Sequence, residues 1–179
     1  MGGDSETWGG GRLVIIADSL KLEGKNEKIM AHGFPQMRES LQAKNGGSGG
    51  YIYIKVNHRF NRSSIDTGAM ITANGGYGIG GGLGGAAGVI ILEKLTMTSE
   101  YVIAQPGLSL LYNKTTVDIA FKSGCKHGAP GTIYNPDLDI LSVNKDGTFT
   151  TKRVFIASNS SKIFTIKTLD LKNYTRLVL

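Results

Sequence analysis

The chain has 179 residues, which is room for one domain, and 20 basic against 14 acidic side chains give it a formal net charge of +6. Hydrophobic residues at 40% and charged residues at 19% exclude an intrinsically disordered chain, and a single Cys excludes an internal disulfide framework or a Cys-rich zinc site. Gly is unusually frequent: 26 of the 179 residues are Gly, a fraction about twice the average of roughly 7%. The glycines do not follow the Gly-X-Y period of collagen.

Short β-branched runs recur along the chain and predict strands. In chain order they are Leu13–Ile16, Tyr51–Val56, Val89–Leu92, Thr132–Tyr134 and Ile140–Val143. A Gly lies just before each of the first four strands, at positions 11, 50, 88 and 131, with intervals of 39, 38 and 43 residues. The best helical candidate, residues 27–41, contains Gly33 and Pro35, so little helix is expected.

A second strand follows each of the first three and ends on Gly again. These closing segments are Ile29–Gly33, Ile71–Gly75 and Ile103–Gly107. Repeats of this length predict a parallel β-solenoid with rungs at about 11–49, 50–87, 88–130 and 131–179, in which corner glycines supply positive φ and close approach. The alternative is an antiparallel β-sandwich with Gly-rich hairpin loops.

Three segments carry a resemblance to known proteins: Asn45–Ile54, Ile71–Gly76 and Gly84–Ile91. They resemble the Gly-rich repeat regions of very large surface or secreted proteins of ciliates and of plant glycine-rich membrane-anchored proteins. The likeness covers roughly residues 9–145. It implies an extracellular β-helical module, and it brings no catalytic residue to this chain.

An uncharged stretch from Ile71 to Leu92 is interpreted as a soluble segment. Nine of its 22 residues are Gly, and each costs a helix about 1 kcal/mol relative to Ala, so no transmembrane span is predicted. Gly76–Gly81 matches a dinucleotide-binding spacing, but the residues that follow form a poor helix. The basic residues are scattered, with the closest cluster at Lys55 to Arg62, so no nucleic-acid partner is predicted.

Oxygen-bearing and aromatic side chains supply the candidate ligand sites. Asp137 and Asp139 share one face of an extended segment and are weak candidates for Ca²⁺, with solvated turn carboxylates as the alternative. Tyr51 and Tyr53 share one face of a strand, with Tyr77 near the following turn. These three are candidate glycan contacts, with ladder packing between strands as the alternative.

Four glycosylation sequons and one Cys–His pair complete the set. The sequons begin at Asn61, Asn113, Asn159 and Asn173, an excess that favours an extracellular or cell-surface glycoprotein. Cys125 and His127 lie two residues apart, but no other cluster would complete a metal site, so a loop Cys is the simpler interpretation.

The function predicted from these patterns is a non-enzymatic structural or adhesive module of an extracellular or surface assembly. Apolar strand material near both ends of the chain predicts stacking with its own copies or with other β-rich chains, and contact with glycans. The alternative is a carbohydrate-active enzyme, although no charged residue lies between Asp66 and Glu93. A fibre tip with polyglycine helices over residues 74–88 is a third interpretation.

Overall fold

The computed structural model describes residues 7–22, 27–34, 43–57, 69–95, 101–113, 116–119, 128–138, 140–144, 153–155, 168–171 and 176–178. These residues form strands and contain no helix. The strands are β1 Arg12–Ala17, β2 Lys28–Met30, β3 Tyr51–Val56, β4 Met70–Thr72, β5 Val89–Glu93, β6 Val102–Ile103, β7 Leu110–Asn113, β8 Thr116–Ile119, β9 Gly131–Asn135, β10 Ile140–Asn144, β11 Arg153–Phe155, β12 Thr168–Leu171 and β13 Arg176–Val178.

The largest sheet has six strands in the order β1-β3-β5-β9-β10-β12. Its first four strands pair in parallel, β9 and β10 pair antiparallel, and β10 and β12 pair in parallel. A second sheet, β2-β4-β6, is parallel throughout, while β7-β8 is an antiparallel pair and β11-β13 a parallel pair.

The hydrophobic core lies between the six-stranded and the three-stranded sheets. Alternation along β3 buries Ile52 and Ile54 completely, because every second residue of a strand points to the same face. They pack with Ile90 of β5 and with Ile71 and Val102 of the smaller sheet. Full burial of one such side chain stabilises the fold by about 1.5–3 kcal/mol, so this face sets the strand register.

The Gly-rich segment 74–78 connects with four other segments through backbone hydrogen bonds. Those bonds run from Gly33 N to Asn74 O, Gly76 N to Gly47 O, Gly85 N to Gly76 O, Gly75 N to Gln105 O and Gly78 N to Leu108 O. A β-strand has neighbours on two sides only. Polyproline II chains have three residues per turn and no internal hydrogen bonds, so their backbone groups point outward in several directions. Segment 74–78 is therefore the centre of a hydrogen-bonded bundle of Gly-rich segments and not a strand of either sheet.

Glycine is required in these segments because the backbones approach very closely. A Cβ on Gly85 would lie 1.9 Å from Gly47 O, and one on Gly128 would lie 1.8 Å from Gly85 O. Among the described residues, only Gly80 and Gly81 are glycines with positive φ. The expectation that corner glycines supply positive φ is therefore wrong at the strand starts, and at Gly50, Gly88 and Gly131 closeness of approach is the reason for Gly.

The predicted strands occur where the β-branched runs stand, but the predicted fold class is wrong. A parallel β-solenoid does not describe a six-stranded sheet in which β10 returns antiparallel to β9. The antiparallel sandwich is wrong as well, because β1, β3, β5 and β9 pair in parallel. The described part of the chain is a mixed parallel and antiparallel sheet with a small parallel sheet and a Gly-rich bundle beside them.

Candidate interaction surface

One end of the molecule, here called the open end, consists of β1 and β2 with segments 8–11 and 31–34. β1 is an edge strand of the six-stranded sheet and β2 an edge strand of the smaller sheet. The two sides are joined where Phe34 N donates to Trp8 O, and the rings of these residues lie 6.3 Å apart. The open end therefore presents the free edges of both sheets together.

Large apolar side chains are concentrated at the open end. Of nine that are exposed in the described part of the chain, five belong to it: Trp8 (71%), Ile16 (63%), Met30 (54%), Phe34 (51%) and Val14 (45%). Val14 and Ile16 point outward from the large sheet and Met30 outward from the smaller one, since Ile15 and Ile29 face the core. Scattered exposed apolar residues are ordinary, whereas their concentration at one end marks a candidate interaction site.

The free edge of β1 carries backbone groups available for pairing. Tyr51 N donates to Gly11 O, and Asn57 N donates to Ala17 O. Alternate residues of a parallel strand bond to opposite neighbours, so Arg12, Val14 and Ile16 direct their N–H and C=O away from β3. No strand within the described ranges pairs with this side of β1.

Four glycines, here called the glycine column, lie at or just before the starts of β1, β3, β5 and β9: Gly11, Gly50, Gly88 and Gly131. A Cβ on Gly50 would lie 2.1 Å from Gly11 O, one on Gly88 would lie 1.9 Å from Gly50 O, and one on Gly131 would lie 2.6 Å from Gly88 O. A Cβ on Gly11 would meet nothing within 4 Å. Among the described residues, none places its backbone above Gly11.

A groove of about 870 Å³ runs beside the glycine column. It is lined by residues 7–12, 48–51 and 87–89. Arg12 lies over the ring of Tyr51, with its Cζ 5.5 Å from the ring centroid, a cation–π arrangement. A glycine floor beside Trp8 and Tyr51 suits an extended chain or a flat ring.

The outward face of the six-stranded sheet carries a polar cluster of three side chains. Tyr53 Oη donates to Glu93 Oε2 at 2.5 Å, and Lys55 Nζ lies 2.6 Å from Glu93 Oε1. The hydrogen bond from Lys55, and then that from Tyr53, lowers the pKa of the Glu93 carboxyl. The hydrogen bond to Glu93 raises the pKa of Tyr53 and that of Lys55. The cluster therefore holds Glu93 ionised.

We expect Glu93→Gln to destabilise the fold slightly at pH 7, with the difference shrinking as the pH falls. The folded-state pKa of Glu93 is lowered. The stability that it contributes is therefore present above its ordinary pKa and is lost as the pH falls through the lowered value. Urea unfolding of both proteins between pH 7 and pH 3 measures this. Curves that stay parallel over the whole range would contradict the assignment.

The three tyrosines predicted to contact glycans lie in two different parts of the fold. Tyr51 and Tyr53 lie on the outward face of β3, as predicted, with the Tyr51 ring against Arg12 and the Tyr53 hydroxyl on Glu93. Tyr77 is exposed on the Gly-rich bundle. Tyr134, which sequence reasoning missed, aligns with Ile91, and Ile91 aligns with Tyr53, across the sheet.

Asp137 lies in the turn after β9, where its side chain and backbone make hydrogen bonds. Its carboxylate accepts a hydrogen bond from Lys94 N, and Asn135 Oδ1 accepts bonds from the backbone N of Asp137 and Leu138. No group of three or more His, Cys, Asp or Glu side chains suited to a metal ion occurs in the part searched, which is the described part. Ca²⁺ binding at Asp137 and Asp139 stays a prediction.

Several predicted residues lie outside the described part of the chain. Asn113 is described only as a backbone position in β7. The others lie in undescribed ranges: Asn61, Cys125, His127, Asp139, Asn159 and Asn173.

One feature of this surface was missed by the sequence reasoning, although the sequence contains its signal. Aligning the runs on their leading glycines puts Lys55 beside Glu93, as the register does.

Comparison with known proteins does not assign this chain to a family. The chain has no significant match among protein-family models, curated proteins or solved structures. Within the residues described, no helix has the length and hydropathy needed to cross a membrane.

Proposed function

We propose that this chain is a non-enzymatic structural or adhesive module of an extracellular or surface assembly, which joins β-rich chains through its open end. One observation carries the proposal: the free edge of β1 and the exposed apolar side chains Trp8, Val14 and Ile16 lie together. An unprotected edge strand is a template for pairing with another chain.

The sequence of β1 lacks the features that usually keep an edge strand from pairing with another chain, which supports docking at this edge. Natural edge strands are often protected by inward-pointing charges, prolines or bulges. β1 reads Arg-Leu-Val-Ile-Ile-Ala, with one charged residue at its first position and no proline.

A carbohydrate-active enzyme is less well supported. Glycosidases use two carboxyl groups about 5–9.5 Å apart, one with a raised pKa as general acid. Glu93 has a lowered pKa and is bonded to Lys55 and Tyr53, which suits a structural ion pair. A reducing-end release assay on polysaccharides, run beside a glycan array, separates cleavage from adhesion.

Val14→Pro tests the open end. The substitution removes an N–H that faces away from β3, and proline is tolerated on the free side of an edge strand. We expect the parent chain to associate in a concentration-dependent way by light scattering and electron microscopy. The Val14→Pro variant should associate at least about tenfold more weakly, while Val14→Thr, which keeps the N–H, should behave like the parent. A Val14→Pro variant that associates as tightly as the parent, or a parent chain that neither self-associates nor binds another β-rich chain, would contradict the proposal.

A further inference from the structure

The internal pairing of this chain repeats one backbone contact, and the open end is the place where the contact is unfilled. Tyr51 N donates to Gly11 O, Val89 N donates to Gly50 O and Thr132 N donates to Gly88 O. In each case the carbonyl of one column glycine lies against the next column glycine, within 2.6 Å of where its Cβ would be.

A second bond repeats with the same period. Gly50 N donates to Ala31 O at 2.7 Å, Gly88 N to Ala73 O at 2.7 Å and Gly131 N to Ala104 O at 3.3 Å. Each of these bonds links a column glycine to the segment that closes the preceding strand pair. Gly11 is the first column glycine, so the corresponding acceptor would belong to a further segment above β1.

Gly11 itself is evidence for that further segment. Packing within the chain explains the other column glycines, because a Cβ on any of them would collide with a backbone atom or with the Ala104 side chain. Packing against the described residues does not explain Gly11, because none of their atoms lies within 4 Å of its Cβ position and its φ is not positive. A backbone carbonyl seated above Gly11, as Gly11 O is seated above Gly50, supplies the missing reason.

We propose that the open end binds a glycine-led β-strand of another polypeptide, parallel to β1, with its leading carbonyl over Gly11. This inference rests on the proposed function and names the partner. The required sequence pattern is that of residues 49–56, a glycine followed by a strand with alternating apolar residues. The partner strand pairs with β1 in the same register in which β3 pairs with β5, where Tyr51 aligns with Val89. The residue just before the column glycine is Gly10 or Gly49 in the first two strands and Ala87 in the third. After Ala87, the bond from the next column glycine, Gly131 N to Ala104 O, lengthens to 3.3 Å, so glycine is preferred at this position of the partner strand.

A second copy of the chain cannot supply this strand from its described elements. β3 and β5 are paired on both sides, and β9 is closed by antiparallel β10. The remaining glycine-led strand is β1, which has the same free side and can meet another β1 only in antiparallel orientation. Self-association through β1 therefore does not reproduce the parallel register of the contacts within the chain.

The test uses the full chain and a synthetic peptide with the sequence of residues 45–57, acetylated and amidated, at concentrations where it is monomeric. Binding is followed by calorimetry and by the fluorescence of Trp8, the single tryptophan, which lines the groove. We expect a 1:1 complex that displaces self-association. Gly11→Ala in the chain should weaken binding at least about tenfold, because the new Cβ meets the peptide carbonyl, without changing the stability of the free chain.

Two controls make the outcome specific. A peptide with Gly50→Ala should bind like the parent peptide, because the added Cβ points away from β1, as a Cβ on Gly50 of the chain points away from β5 and toward Gly11 O. A peptide with Ile52→Pro should not bind, because it lacks the N–H that faces β1. If the peptide does not bind, or binds Gly11→Ala as tightly as the parent, the glycine-led register is wrong. In either case, self-association that Val14→Pro abolishes would leave the proposed function standing, whereas a chain that neither binds nor self-associates would overturn both.

Discussion

Gly85→Ala is expected to destabilise the fold by at least about 3 kcal/mol, or to prevent folding. The new Cβ would lie 1.9 Å from Gly47 O and 2.5 Å from Gly47 C. Both groups are backbone, so no side-chain rotation relieves the collision. Gly85 N also donates to Gly76 O, and Gly107 N donates to Gly85 O, so a shift here disturbs several segments.

Gly11→Ala is the matched control for this substitution. It makes the same chemical change at a glycine whose Cβ side is open, and its effect should stay within about 0.5 kcal/mol. Urea unfolding followed by circular dichroism measures both. If Gly85→Ala were as stable as Gly11→Ala, the close packing of the Gly-rich segments would be wrong.

Ile54→Ala should cost about 2–5 kcal/mol, since removing a fully buried aliphatic side chain loses its transfer free energy and leaves a cavity. Ile54 is completely buried between the two sheets and aligns with Ile15 and Leu92. Ile54→Val should cost about 0.5–1.5 kcal/mol, because most of the volume remains.

Ile16→Ala is the matched control for Ile54→Ala, because it makes the same substitution at an exposed isoleucine. Ile16 lies on a strand of the same sheet, but it is 63% exposed. Its substitution should have little effect on the free energy of unfolding of the monomer. Equal losses for Ile54→Ala and Ile16→Ala would show that the core does not lie between these sheets.

Strand positions could be predicted from the sequence because β-branched runs such as Tyr51–Val56 are local signals. The parallel order of β1, β3 and β5 also follows from glycine-led runs at similar spacing. The return of β10 against β9 also had a local signal, which the solenoid prediction overlooked: only residues 136–139 separate Gly131–Asn135 from Ile140–Asn144. A parallel crossover needs about a dozen residues or more, and Asn135-Pro136-Asp137 is typical of a turn.

The role of glycine was only half predictable. A Gly-rich stretch such as residues 74–88 is consistent with tight turns and with close packing, and composition does not choose between them. The choice depends on which segments lie beside it, which is a property of the whole fold. The open end was hidden for the same reason: Trp8 and Val14 look like core residues until the position of β1 at the sheet edge is known.

Amide hydrogen exchange on the monomeric chain tests the account most directly, because it reports which backbone N–H groups are bonded. We predict that the amides of Gly76, Gly85 and Gly88 are protected like those of β3, since each donates to a neighbouring segment. The amides of Val14 and Ile16 should exchange rapidly. Free exchange at Gly76, Gly85 and Gly88, or protection at Val14 and Ile16, would contradict a hydrogen-bonded glycine bundle with one unpaired edge.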